Sequence, residues 1–296
     1  MELQHLRAFQ RVAETGSFSQ AAEKLHLTQP AVSKRIALLE QELDVELFDR
    51  IGREVSLTEA GRVLLPHVRA VQQQLEAARQ SVRDLSGEIA GELKLATSHH
   101  IGLHRLPPVL SEFNTAFERV HIDIDFMDSE QAYDRILQNR AEIAFVTLAP
   151  EEQPSLVTLP VWPDPLAFMV GATHPLAGTG NVDLPVLSQH AAIIPGLNTY
   201  TGQIVARLFN QHDLQLQVSM ATNYLETIRM MTSVGLGWTV LPRTMCDESL
   251  TVLNVQQVDI ERTLGLVYHR GRSLSRGARA FIDVVSAFSQ GGNGHS

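Results

Sequence analysis

The chain has 296 residues, 44% of them apolar and 19% charged, with a formal net charge of -9. That length suits two or three compact units, each with its own core, and the apolar runs are too short to cross a bilayer, which excludes a membrane span. Cys246 is the only cysteine, excluding an intrachain disulfide and a cysteine-rich metal site. Met1, Glu2, Leu3 and Gln4 lead straight into an amphipathic pattern, with neither the basic start nor the apolar stretch of a secretory signal, so the expected location is the cytoplasm.

Leu3, Leu6, Phe9, Val12 and Ala13 line one side of a first helix that stops near Thr15-Gly16. Ser17 with Gln20 makes a capping box, and Phe18, Ala21, Ala22 and Leu25 form the stripe of a short second helix. Thr28 is a good N-cap for a third, with Pro30 in its first turn and Val32, Ile36, Leu39 and Leu43 on its buried side. A short helix, a tight turn and a longer helix with a polar N-terminal end form a helix-turn-helix. Gln29, Ser33, Lys34 and Arg35 stand where such a helix meets base edges, and the Thr28 hydroxyl can hold a phosphate. Residues 1–58 carry nine acids against seven Lys/Arg, yet Lys24 to Leu39 contains no acid, so one face is positive. Each residue alone could be a solvated position on an exposed face; the set points to DNA.

The run Leu6-x-x-Phe9, Gly16-Ser17-Phe18-Ser19-x-Ala21-Ala22-x-x-Leu25, Thr28-Gln29-Pro30-Ala31-Val32-Ser33-x-x-Ile36, Leu39-Glu40, Leu47-Phe48-x-Arg50 and Leu57-Thr58-x-Ala60-Gly61 resembles the LysR-type transcriptional regulators. The resemblance implies that Gln29, Pro30, Ser33 and Lys34 approach base edges and that Ser17 and Thr28 bind backbone phosphate. It also implies that Arg50 and Arg53 belong to a wing on the minor groove or backbone. Leu47 to Leu57 fits a short hairpin with Gly52 at its tip, which would close a DNA-binding domain over residues 1–58.

From Thr58 the residues Leu64, Val68, Val71, Leu75, Ala78, Val82, Leu85 and Ile89 alternate by four and three, a heptad seam on a linker helix over 59–89. A helix packed on its own chain's core would show a wider apolar face, so a homodimer is expected. Pro66 should kink the first two turns. The resemblance agrees with a linker helix and implies a homodimer, often a homotetramer.

Beyond Gly87 short strands alternate with helices. Strands are expected at Leu93 to Ala96, Ile122 to Phe126 and Ile143 to Val146, with helices at Leu103 to Phe117 and Ala132 to Leu137. A second series has strands at Leu166 to Val170, Ala191 to Ile194, Val218 and Trp238 to Leu241, and helices at Gln203 to Gln211 and Leu225 to Val234. The expected fold class is therefore α/β with an N-terminal all-α winged helix-turn-helix. The resemblance implies a two-lobed, periplasmic-binding-protein-like effector domain over 90–296, with lobe I at about 90–161 and 269–290 and lobe II at about 162–268. It puts crossing strands near Pro160 to Pro163 and near Tyr268, and returns a last helix, Ala278 to Phe288, to lobe I. The tail from Gly291 to Ser296 is expected to be disordered.

In such lobes anions sit beyond the carboxyl ends of strands, against helix N-termini. Ser98, His99 and His100 follow the first strand, Ser129 the second, Asn198, Thr199, Tyr200 and Thr201 a strand of the second lobe, and Asn223 precedes the Leu225 helix. The resemblance places effector contacts at these points and adds Thr147. Each hydroxyl could equally be a simple helix cap. Two imidazoles suit an anionic effector of unknown identity, whereas adjacent residues cannot easily share one metal ion, so no metal and no cofactor is expected. Gly235-Leu236-Gly237-Trp238 fits close helix-to-strand packing.

An enzyme is the main rival, but no G-x-S-x-G elbow, P-loop or G-x-G-x-x-G fingerprint is present. An exported solute-binding protein would not carry residues 1–90, and an architectural DNA protein indifferent to ligands would be favoured by a cleft that binds nothing. The expected function is an effector-controlled, double-stranded-DNA-binding regulator in which lobe movement shifts the paired helix-turn-helix domains and so DNA bending or contact with RNA polymerase.

Overall fold

The computed structural model describes residues 1–51, 54–84 and 88–291. The chain divides into two compact units, Met1–Ser86 and Gly87–Ser296.

In the first unit, α1 (Leu3–Thr15) ends where Gly16 turns left-handed at φ 61 and returns its N–H to Val12 O. The Ser17 side chain accepts from Gln20 N to start α2 (Phe18–Leu25), and Thr28 accepts from Ala31 N to start α3 (Gln29–Leu43). Their inward faces meet in one core, Phe9, Val12, Phe18, Ala21, Val32, Ile36 and Leu39, closed below by Leu47 and Phe48. Each large side chain buried there contributes about 1.5–3 kcal/mol. β1 (Phe48–Ile51) and β2 (Glu54–Leu57) pair antiparallel as the wing, with Arg50 opposite Val55. Gly52 and Arg53 lie outside the described residues.

Thr58 caps α4 (Glu59–Asp84) by accepting from Gly61 N at 3.0 Å. Gly61 is required there, because a Cβ would stand 2.3 Å from Leu47 O. The helix continues through Pro66 as one element. Along the expected seam, Val68 is buried in the domain core and Leu64 packs against it, whereas Val71 and Val82 are exposed. Leu85 lies outside the described residues and Ile89 packs in the second unit, so the helix ends short of the expected 89.

The second unit is built on a seven-stranded mixed sheet. Lobe I holds β3 (Gly91–Thr97), α5 (His99–His104), α6 (Leu106–Ala116), β4 (Val120–Phe126), α7 (Ser129–Leu137) and β5 (Ile143–Thr147), with β3 parallel to both β4 and β5. The single helix expected over Leu103 to Phe117 is two, broken at Arg105. Pro107 and Pro108 explain the break: they have no N–H to extend a helix from below, yet suit the first turn of a new one.

β6 (Leu156–Gly171) is one long strand that runs from lobe I into lobe II. Lobe II continues with β7 (Asn181–Val182), α8 (Leu184–Leu187), β8 (Ala192–Ile194), α9 (Tyr200–Gln211), β9 (Val218–Ala221), α10 (Leu225–Ser233) and β10 (Thr239–Pro242). It closes with a 3-10 turn at Arg243–Met245, β11 (Leu250–Val252) and β12 (Asn254–Val255). β13 (Glu261–His269) then returns antiparallel to both β6 and β5. The close approach at the glycine pair is between the segments leading into β8 and β10 rather than helix to strand: a Cβ on Gly237 would meet Ala191 O at 2.4 Å.

Core membership locates the crossings. Val161 and Trp162 pack on the lobe I core and Leu166 belongs to the lobe II core; Ile260 belongs to lobe II and Leu264 to lobe I. The return crossing is therefore at 261–263 rather than near Tyr268, which pairs with Val157 inside lobe I. A register shift at Leu264/Gly265 sits beside that crossing, and such a bulge is how a strand bends to change layers. α11 (Arg276–Gly291) packs Ala278, Phe281 and Val285 on lobe I. Gly291 thus ends a helix rather than opening the tail, and residues 292–296 lie outside the described residues.

Candidate nucleic-acid interface and effector cleft

Thr28, Gln29, Pro30 and Lys34 form an exposed surface at the start of α3, with Ser33 and Arg35 half-buried beside it. The Ser17 and Thr28 hydroxyl oxygens accept from backbone N–H groups at 3.4 Å each, which leaves their own hydrogens free to donate. Ser19 Oγ donates to Gln29 Oε1 at 3.2 Å. This bond pre-orients the Gln29 amide from the neighbouring helix. The Arg50 side chain and all of Arg53 lie outside the described residues.

The cleft of the second unit gathers the ends of β3 and β5 in lobe I and the starts of α9 and α10 in lobe II. Ser129 is buried and its Oγ accepts from Thr147 N at 3.1 Å. Thr199 caps α9, accepting from Gly202 N at 3.1 Å and donating to Gly196 O at 2.7 Å. Asn223 accepts from Gly196 N at 3.1 Å and donates to Asp128 Oδ2 at 2.6 Å across the lobes. Tyr200 N donates to Glu130 Oε1 at 2.5 Å, a second bond across the cleft. Burial pushes the Glu130 carboxyl above the usual range against that bond. Ser98 stands at the start of α5 with no side-chain cap bond, and Asn198 is exposed.

The strongest charges in the cleft come from residues the sequence did not single out. Arg262, on β13 at the crossing, is 7% exposed. Its Nε donates to Asp164 Oδ2 at 2.8 Å and its Nη1 to the Thr201 hydroxyl at 2.9 Å, while Nη2 has no partner among the described residues. Arg105 approaches the other Asp164 oxygen at 3.5 Å and lies over the Trp162 ring. The available signal was Arg262, beside Glu261 at the start of a strand that continues Thr-Leu-Gly-Leu-Val-Tyr-His.

The two adjacent histidines separate. His99 is exposed and packs between Phe126 of lobe I and Tyr224 of lobe II, with ring centroids 5.9 and 5.1 Å away. His100 is buried against His104, one helical turn on, and neither of its ring nitrogens has a hydrogen-bond partner among the described residues. Burial, then the nearby Arg262 charge, lowers the His100 pKa to about 4. His104 Nε2 lies 2.9 Å from Glu226 Oε1 of α10.

A family model described as the LysR substrate binding domain matches residues 86–289, and one described as the bacterial regulatory helix-turn-helix protein, lysR family, matches residues 3–62. The chain is 66% identical over 108 residues to an uncharacterized HTH-type transcriptional regulator in the ibpB-leuC intergenic region of Azotobacter vinelandii, covering 36% of this chain and 75% of the relative. It is 28% identical over 290 residues to the RuBisCO operon transcriptional regulator of Allochromatium vinosum, covering 96% and 95%. Among solved structures, the CcmR regulatory domain of Synechocystis PCC6803 in complex with 2-PG is similar at a TM-score of 0.61 and 26% identity, over 68% of this chain and 98% of that one.

Proposed function

The chain belongs to the LysR family of DNA-binding transcriptional regulators with an effector-binding domain, and we propose that it acts as a homodimer, pairing further into a homotetramer, whose effector is a small anion held between the two lobes. Its relatives are named as transcriptional regulators and not as enzymes. The proposed target is an interrupted palindrome in double-stranded DNA. Gln29, Pro30, Ser33, Lys34 and Arg35 meet bases, Ser17 and Thr28 hold phosphate, and Arg50 and Arg53 extend the contact from the wing. The exposed Val71 and Val82 on the α4 seam support dimerisation, since an apolar stripe of heptad spacing left in water is what a partner helix covers. No helix among the described residues is long and apolar enough to cross a membrane, and a DNA partner places the working protein in the cytoplasm. No cofactor is required.

The observation that carries the anionic reading is Arg262, buried in the cleft with Nη2 unpartnered among the described residues. Counting Arg105, Arg262 and Asp164 together leaves one positive charge, and a buried guanidinium with free N–H groups is suited to a carboxylate or phosphate. Ser98, Thr201, Thr147 and Asn198 supply neutral groups around it, and Ser129, Thr199, Tyr200 and Asn223 frame it with helix starts; His99 and His100 complete the lobe I wall. The similar Synechocystis regulatory domain holds a small molecule, 2-PG. Effector binding changes the lobe arrangement, hence the placement of the paired DNA-binding domains, DNA bending and contact with RNA polymerase.

The test is DNA binding by the full chain to fragments of its own genome at fixed salt, with and without panels of small carboxylates and phosphates. Ser33→Ala should weaken the sites sharing a palindrome; Thr201→Val should retain DNA binding but lose the response to the active anion. Binding to all fragments alike, unmoved by Ser33→Ala, would overturn sequence-specific recognition. A response only to cations or neutral compounds would overturn the anionic effector.

A further inference from the structure

We propose that His100, His104 and Glu226 form a site for one divalent transition ion, of the kind represented by Zn2+, that links lobe I to lobe II. One ligand atom from each of these residues lies within 4.8 Å of the other two. His100 and His104 share one face of α5 at the i, i+4 spacing, their ring centroids 4.8 Å apart. Glu226 comes from the first turn of α10 in the other lobe. Its two oxygens are already divided: Oε2 accepts from Arg229 Nε at 3.2 Å, which leaves Oε1 directed at His104. Ligand atoms around tetrahedral zinc stand about 3.4 Å apart, given bonds of about 2.0–2.1 Å. Side-chain rotations of about 1 Å would therefore close the cluster onto an ion.

His100 is the second, independent observation. It is 9% exposed, and both its ring nitrogens are unpartnered among the described residues. A buried polar side chain with two unmet nitrogens lacks a partner that burial ordinarily demands. An ion supplies one. A neutral imidazole offers such an ion the lone pair of one ring nitrogen. Arg262 and Asp164 also act on His100 with opposite signs, the effect of Arg262 being the larger. Two imidazoles and one carboxylate select a borderline ion over Mg2+ or Ca2+, which prefer all-oxygen sets. Three protein ligands leave a fourth position open to water or an anion. The pairing of His99 with His100 in the sequence concealed the site, since the partner of His100 is one turn away and the third ligand is more than a hundred residues further on.

The test is Zn2+ titration of the untagged full chain, stripped with chelator, in competition with a chromophoric chelator. The expected result is one tight equivalent per protomer, weakened at least tenfold by His104→Gln and by Glu226→Gln, and lost in the triple variant with His100→Ala. His104 and Glu226 are exposed, so their variants test the site even if His100→Ala fails to fold. His99→Ala and His174→Gln should leave the equivalent intact, and X-ray absorption of the zinc-loaded protein should report two imidazoles. No equivalent beyond that of the triple variant, or affinity unchanged by His104→Gln and Glu226→Gln, would overturn the proposal. Neither DNA nor effector enters this measurement, so its failure is separate from failure of the anionic-effector reading.

Discussion

Asp164→Ala isolates the buried charge pair at the crossing strands. The carboxylate is 1% exposed and accepts from Arg262 Nε at 2.8 Å, with Arg105 on its other oxygen. Removing it leaves the Arg262 guanidinium buried with only the Thr201 hydroxyl for company. Breaking such a pair from one side costs about 3–5 kcal/mol, whereas replacing both members with apolar groups of similar volume is near neutral. Asp164→Leu with Arg262→Met should therefore recover most of the loss. Both tryptophans, Trp162 and Trp238, lie in the second unit, so urea unfolding followed by tryptophan fluorescence reports that unit alone. With a slope of about 3 kcal/mol per molar urea, Asp164→Ala should lower the midpoint by about 1 M or more. A midpoint within about 0.3 M of the parent for the single variant would refute the reasoning, as would a double variant less stable than the single.

Four further outcomes are expected. Gly61→Ala, which forces a Cβ to 2.3 Å from Leu47 O, should destabilise the first unit by at least about 1–3 kcal/mol, seen as early loss of helical circular dichroism with no change in tryptophan fluorescence. Thr28→Ala removes the cap on Ala31 N and should cost about 1 kcal/mol of stability in the same unit, with weaker binding to every DNA sequence alike in an anisotropy titration. Val71→Glu with Val82→Glu places charge on the exposed seam and should shift the mass by light scattering toward one chain while leaving helicity intact. His174 is held below the ordinary histidine range by burial, then by His190, and its Nδ1 accepts from Leu176 N at 3.2 Å, a bond only the unprotonated nitrogen makes. Its folded pKa lies below its unfolded one, so its contribution is full above about pH 6.5 and is lost as pH falls through the depressed value; His174→Gln should flatten the fall in urea midpoint on that acid side.

The helix starts were legible because their chemistry is local. Ser17, Thr28 and Thr58 each cap the helix that follows from within three residues, whereas α9 starts at Tyr200 behind its Thr199 cap, three residues ahead of the expected Gln203. The strand β6 was harder: Pro160, Pro163 and Pro165 look like interruptions, yet the strand passes through them because β13 supplies its pairing from one side. The return crossing was misplaced by several residues because Leu-Gly-Leu-Val-Tyr is uniformly apolar and nothing in it marks a change of lobe. The cleft charges were illegible for a different reason. Arg262 meets Asp164 across 98 residues and His104 meets Glu226 across 122, so only the folded chain brings them together.

The hydroxyls and amides anticipated at helix starts are mostly in use already. Asn223 spends both ends of its amide, on Gly196 N and on Asp128, and Tyr200 N is committed to Glu130. An incoming anion that takes over such a group exchanges one hydrogen bond for another, a net gain of only about 0.5–1.5 kcal/mol. Among the described residues Arg262 Nη2 has no partner and the Ser98 side chain makes no cap bond, so an anion there would have no such bond to displace. The bonds that would be displaced, Asp128 to Asn223 and Glu130 to Tyr200, are among those that join the lobes. For the anion proposed above, competition for these groups would give different affinities for two lobe arrangements, and that difference would be the whole of what it could transmit.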